Sequence, residues 1–122
     1  MSFVPQDFLE QLPALTRDLA DAQPFGVVQV ADDGTVRLYN RWESQLAGVP
    51  SSSAEGRNFF TQVAPCTNNR LVLGKFKDGV QQGALDTEFN YTFTYKMRPT
   101  NVALRLYRDP ATGTNWVFVG LR

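Results

Sequence analysis

Three stretches in the last third of the chain decide its fold. They are Thr87-Glu88-Phe89-Asn90-Tyr91-Thr92-Phe93-Thr94-Tyr95-Lys96, Asn101-Val102-Ala103-Leu104-Arg105-Leu106-Tyr107-Arg108 and Asn115-Trp116-Val117-Phe118-Val119-Gly120-Leu121. Their side chains alternate in the manner of strands, with the period of two that turns one face toward a core. Asp109-Pro110-Ala111-Thr112-Gly113 supplies a turn between the last two. Working outward, Phe25–Ala31 reads as a valine-rich strand, Asp32-Asp33-Gly34 as a turn, and Thr35–Tyr39 as the returning strand of a hairpin. The spacing predicts an antiparallel sheet of about five strands.

Helical signals fill the gaps. Asn40 is placed to N-cap a short helix over Arg41–Ala47, with Glu43 at its third position and Gly48 as its stop. The run from Ser53 to Gly56 can form one further turn. Asn68 or Asn69 can cap a helix over Arg70–Gln82, with Leu71, Val72, Phe76 and Val80 facing inward and Gly83 ending it. Before the first strand, Phe8, Leu9, Leu12, Leu15 and Leu19 have helical spacing, and Pro13 forbids one continuous helix. Two short helices or one broken helix are expected there. That stretch holds four acids and one base, so residues 1–23 read as a detachable acidic cap on a core of residues 24–122. The fold class is α+β, a single domain with helices on the faces of the sheet.

Composition closes several routes. The 122 residues are 43% hydrophobic and 20% charged, enough to bury a core. Twelve Lys plus Arg balance twelve Asp plus Glu. Zero net charge argues against nucleic acid or an anionic membrane as the main partner, because both need a basic surplus. The charge is uneven: up to Thr61 there are 8 acids and 4 bases, and beyond it 4 acids and 8 bases. There is no histidine and one cysteine, Cys66. An intrachain disulfide, a Cys/His zinc site and a Ser-His or Cys-His nucleophile pair are therefore impossible. No apolar run approaches the roughly 20 residues of a membrane span, and the first residues lack a signal peptide's basic region. The expectation is a soluble cytoplasmic protein, a monomer or weak dimer.

A few residues could carry chemistry. Cys66 follows Pro65 in an irregular loop just ahead of a helix, where amide donors favour a thiolate; a lone cysteine is otherwise a small buried hydrophobe. Tyr39 ends a strand and Glu43 lies one turn into the next helix, so the two side chains could converge. Taken alone, Glu43 reads by default as a solvent-facing glutamate and Tyr39 as a packed strand aromatic. Alternation puts Phe89, Tyr91, Phe93 and Tyr95 on one strand face, as core or as the wall of a slot for a flat conjugated ligand. The glycines form no phosphate-binding pattern.

Together these residues resemble the photoactive yellow protein family, blue-light receptors of the PAS superfamily. The matching pieces include Phe25-Gly26, Asp32-Asp33-Gly34, Tyr39-Asn40, Glu43, Asn58-Phe59-Phe60, Val63-Ala64-Pro65-Cys66-Thr67, Gly74-Lys75-Phe76-Lys77, Tyr91-Thr92-Phe93, Met97-Arg98-Pro99-Thr100 and Trp116-Val117-Phe118-Val119. They run in the family's order and spacing from about Phe25 to the end. The resemblance implies that Cys66 carries p-coumaric acid (4-hydroxycinnamic acid) as a thioester, with its phenolate held by Tyr39 and Glu43 and its carbonyl by the Cys66 backbone N–H. Phe59, Phe93, Tyr95 and Met97 correspond to pocket-lining positions. Two positions depart from the pattern: Ala47 stands where a threonine usually supports the tyrosine, and Val49 where an arginine shields the ring.

On this reading light isomerises the dye, a proton moves from Glu43 to the phenolate, and the cap, residues 1–23, opens as the signal. A downstream signalling protein would read it in trans. Two other readings stay open: a non-photoactive PAS module that binds a ligand or partner, and a thiol enzyme using Cys66, disfavoured by the missing histidine.

Overall fold

The computed structural model describes residues 2–94 and 98–122. The chain opens with two short helices, α1 (Gln6–Glu10) and α2 (Arg17–Asp21), joined through a 3₁₀ turn at Leu12–Ala14 that contains Pro13. This is the broken helix that the proline requires. The strands are β1 (Gly26–Val30) and β2 (Val36–Tyr39), followed by helices α3 (Arg41–Ala47), α4 (Ser51–Ala54) and α5 (Lys75–Gln82). Strands β3 (Asp86–Phe93), β4 (Thr100–Asp109) and β5 (Thr114–Leu121) complete an antiparallel sheet in the order β2-β1-β5-β4-β3. The α+β expectation holds, with strand ends within one residue of their predicted places, except that the predicted end of β3 at Lys96 lies outside the described residues.

Both faces of the sheet are covered, and alternation sorts the side chains between them. Val28, Val30, Val102, Leu104, Leu106, Val117 and Val119 face the main core with Phe59, Phe60 and Phe76. Phe25, Val27, Trp116 and Phe118 face the other way, onto Val4, Phe8, Leu9 and Leu12 of the N-terminal segment. The acidic segment is thus a core-forming layer. Its acids sit on the outside and its apolar residues close a second core, because a sheet this apolar on both faces needs cover on both.

The β1–β2 hairpin contains a bulge. Val28 pairs with Tyr39 and Gln29 with Leu38, but Val30 pairs with Val36, leaving Arg37 as the extra residue. Strict alternation from Val36 would send Tyr39 to the cap side. The bulge reverses the phase, so Val36 and Tyr39 both join the main core while Leu38 packs with the cap.

One inward assignment is corrected. Leu71 was expected to face the core and is 44% exposed. The helix does not start as an α-helix: Arg70–Gly74 forms a π-helical turn, closed by Gly74 N–H donating to Asn69 O at 3.0 Å. The wider turn places Val72 inward and swings Leu71 out.

Candidate functional site

Asn40 sets up one end of the site. Its Oδ1 accepts from Glu43 N at 3.2 Å, capping α3, and also from Val27 N at 3.0 Å. Its Nδ2 donates to Ala20 O at 2.8 Å and Phe25 O at 3.0 Å. One fully buried amide therefore joins the cap, β1 and α3. Gly48, with φ of 70°, ends that helix as the sequence requires.

This frame holds Glu43 inward, 2% exposed, against Gly26 of β1. A Cβ at position 26 would overlap Glu43 Oε1 and stand 2.9 Å from Val119 Cβ, so glycine there makes room for the carboxyl. Glu43 Oε1 is fully buried and has no hydrogen-bond partner among the described residues. Burial pushes the carboxyl up to about 8, so it keeps its proton at neutral pH. Burial, and secondarily the nearby Glu43, raises the Tyr39 phenol above its ordinary range, so it too remains a donor.

Tyr39, Glu43, Ala47, Val49, Val63, Ala64, Cys66 and Phe93 line one narrow recess with about 310 Å³ of free space, part of it open to solvent. Cys66, partly buried, sits in a 3₁₀ turn over Pro65–Thr67. Thr67 Oγ1 donates to Ala64 O at 2.6 Å and closes that turn. Tyr91 Oη donates to the Cys66 carbonyl oxygen, and Asn69 Nδ2 donates to the same oxygen at 3.2 Å.

Six of the residues singled out from sequence therefore meet in one recess: Tyr39, Glu43, Ala47, Val49, Cys66 and Phe93. Phe59 does not line the recess; it is buried in the main core, edge-on to Phe60 with ring centroids 5.2 Å apart. Tyr95 and Met97 lie outside the described residues. Sequence reasoning missed Val63, Ala64, Gly26 and Asn69 as site residues. Only Gly26 left a usable signal, a glycine inside a strand, which marks close approach by another group. Among the described residues no three His, Cys, Asp or Glu side chains gather as a metal site, and no helix is long and apolar enough to cross a membrane.

No protein-family model matches the chain. Individual relatives do. It is 37% identical over 118 residues to a photoactive yellow protein of Rhodothalassium salexigens, covering 93% of this chain and 92% of that one. It is 40% identical over 95 residues to one of Halochromatium salexigens, covering 78% and 76%. The photoactive yellow protein domain of the sensor histidine kinase Ppr from Rhodospirillum centenum superposes with a TM-score of 0.85 at 39% identity, over 91% of this chain and 97% of that one. A LOV protein of Rhodobacter sphaeroides shares the fold, with a TM-score of 0.68 at 16% identity over 97% and 68%. With an α+β PAS architecture, and identities of this size over most of its length, the chain belongs to the photoactive yellow protein family, whose members are photoreceptors and not enzymes.

Proposed function

We propose that this chain is a blue-light receptor that holds p-coumaric acid as a thioester on Cys66. The observation that carries this reading is the buried Glu43 Oε1, unpartnered among the described residues, in the same recess as the only cysteine of the sequence. A buried polar atom left unpaired costs about 1–3 kcal/mol, and a phenolate oxygen at that end would relieve it. The group would arrive as an activated acyl donor. The Cys66 sulfur takes the acyl carbon, and the departing group leaves with the electron pair and takes up a proton.

When bound, the dye supplies visible absorption and photoisomerisation about its vinyl bond. The protein's part is to invert two ionisations. In water a phenol titrates near ~10 and a glutamic acid near ~4.3, so at neutral pH the acid would be the charged one. In the recess Glu43 is already pushed up to about 8 by burial. An anion 4 Å away raises it further: at an effective dielectric of 20 two like charges repel by about 4 kcal/mol, roughly three pKa units. One anion survives. Tyr39 and protonated Glu43 would both donate to it, and its charge would spread over the conjugated tail. The Cys66 backbone N–H would serve the thioester carbonyl, and Phe93, Ala47 and Val49, which line the recess, would flank the ring.

With the phenolate no longer held by these donors, Glu43 would give up its proton to that oxygen. A carboxylate would be left among apolar side chains, with no cation in the recess among the described residues. Such a charge costs several kcal/mol, comparable with the stability of a small domain. The cap, residues 1–23, is the element we expect to release, baring the sheet face beneath it. The same reading has a monomer or weak dimer in the cytoplasm, signalling in trans to a protein partner, with neither nucleic acid nor membrane as its target.

One experiment tests this against its rivals: mix the protein with activated p-coumaric acid and record the absorption spectrum and intact mass. A stable adduct at Cys66 with a visible band is expected. A colourless, unmodified protein would point to a non-photoactive PAS module, and turnover of the donor to a thiol enzyme.

A further inference from the structure

We propose that Asn69 is a positioning residue for the thioester: with Tyr91 it clamps the carbonyl oxygen of Cys66 and fixes the backbone that carries the sulfur. The inference rests on the reading of Cys66 as the attachment point. The geometry is a closed set of bonds. Tyr91 Oη donates to Cys66 O, Asn69 Nδ2 donates to that oxygen at 3.2 Å, and the same Nδ2 donates to Tyr91 Oη at 2.7 Å. Asn69 Oδ1 accepts from Val72 N at 3.0 Å, tying the clamp to the turn that leads into α5. On the other flank, Thr67 Oγ1 and Thr67 N–H both donate to Ala64 O, at 2.6 Å and 2.9 Å.

A peptide held on both sides cannot follow a group that swings on the adjoining side chain. Motion of that group is therefore delivered to the far end of the recess, where Tyr39 and Glu43 stand. The unmoved backbone N–H of Cys66 waits to receive the carbonyl on return. The clamp thus sets how fast the dark state re-forms. Asn69 also caps the following turn, and a purely structural role would end there.

Asn69→Asp separates the two roles. Its carboxylate still accepts from Val72 N, so the cap survives. It cannot donate to Cys66 O, and it draws the Tyr91 hydroxyl away from that oxygen. The wild type, Asn69→Asp, Tyr91→Phe and the double variant are each loaded with activated p-coumaric acid and followed by intact mass, thermal midpoint and dark recovery after a flash. All four should load, and Asn69→Asp should melt with the wild type. Its recovery should be slower by about fivefold, the rate equivalent of one net hydrogen bond. Tyr91→Phe should slow it similarly, and the double variant no more than the slower single, because both act through one oxygen. Unchanged recovery in Asn69→Asp, or multiplying effects in the double variant, overturns the clamp while leaving Cys66 as the attachment point. If the wild type takes up no dye, the reading of Cys66 fails and the clamp with it.

Discussion

Glu43 holds a proton that water would strip from it at neutral pH, and this has a consequence for stability. The carboxyl moves from 4.5 to about 8 on folding. Between those values the folded chain binds a proton that the unfolded chain releases. The stabilising contribution is therefore complete below 4.5 and is lost as pH rises toward about 8. With no histidine in the chain, few other groups obscure this window. The thermal midpoint of the dye-free protein should fall as pH is raised across it, and Glu43→Gln should flatten that slope. After loading, the same variant should still bind dye but show less light-induced hydrogen exchange in the cap; an unchanged increase would refute the buried-charge account. Gly26 makes a second residue-scale case. Gly26→Ala drives a methyl group into Glu43 Oε1 and toward Val119, an overpacking that should cost about 1–3 kcal/mol in urea denaturation. It should also move the visible band, since the carboxyl can no longer sit where it does.

Among the elements, the junction of α2, β1 and α3 depends on one side chain. Asn40 makes four hydrogen bonds from a fully buried position, two accepted and two donated. Asn40→Ala removes an N-cap and strands buried groups on three elements. A loss of about 3 kcal/mol is expected from equilibrium denaturation, well above the roughly 1 kcal/mol of an exposed cap. The adjoining Arg17–Glu55 pair behaves differently. Glu55 Oε2 accepts from Arg17 Nη2 at 2.7 Å and from Tyr39 N at 3.0 Å, but the arginine is half exposed. Arg17→Ala should cost less than about 1 kcal/mol.

For the whole molecule, the N-terminal layer is what seals the sheet. Phe8 packs edge-on against Phe25 and Phe118, with ring centroids 5.3 and 6.0 Å away. Polar ties hold the same layer at both ends: Ser2 Oγ donates to Glu88 Oε1 at 2.6 Å, and Arg41 N donates to Asp21 Oδ1 at 2.8 Å. Removing residues 1–23 should expose Phe25, Val27, Trp116 and Phe118 together. A truncated chain is expected to bind a hydrophobic dye in the dark, and to lose at least about 3 kcal/mol, the burial of one or two large apolar side chains. Equal stability and no dye binding would mean that the layer is not a structural lid.

What could be read directly from the amino acids was whatever depends on near neighbours along the chain. The alternation of Phe89, Tyr91 and Phe93, the break at Pro13 and the caps at Asn40, Gly48 and Gly83 are local geometry, and local geometry has a short period that composition cannot hide. The linear motif around Cys66, with Tyr39 and Glu43 four apart, was legible only through its resemblance to a known family. The recess itself was not. Tyr39 enters it because a bulge at Arg37 reverses the phase of β2, and Glu43 is buried because Gly26 of another strand leaves space for its oxygen. Leu71 is exposed because the first turn of its helix is wound more widely than an α-helix, and the acidic segment becomes a core layer only where a second apolar sheet face awaits it. Each of these outcomes is set by contacts between residues distant in sequence, whose free energy exists only once the strands have paired.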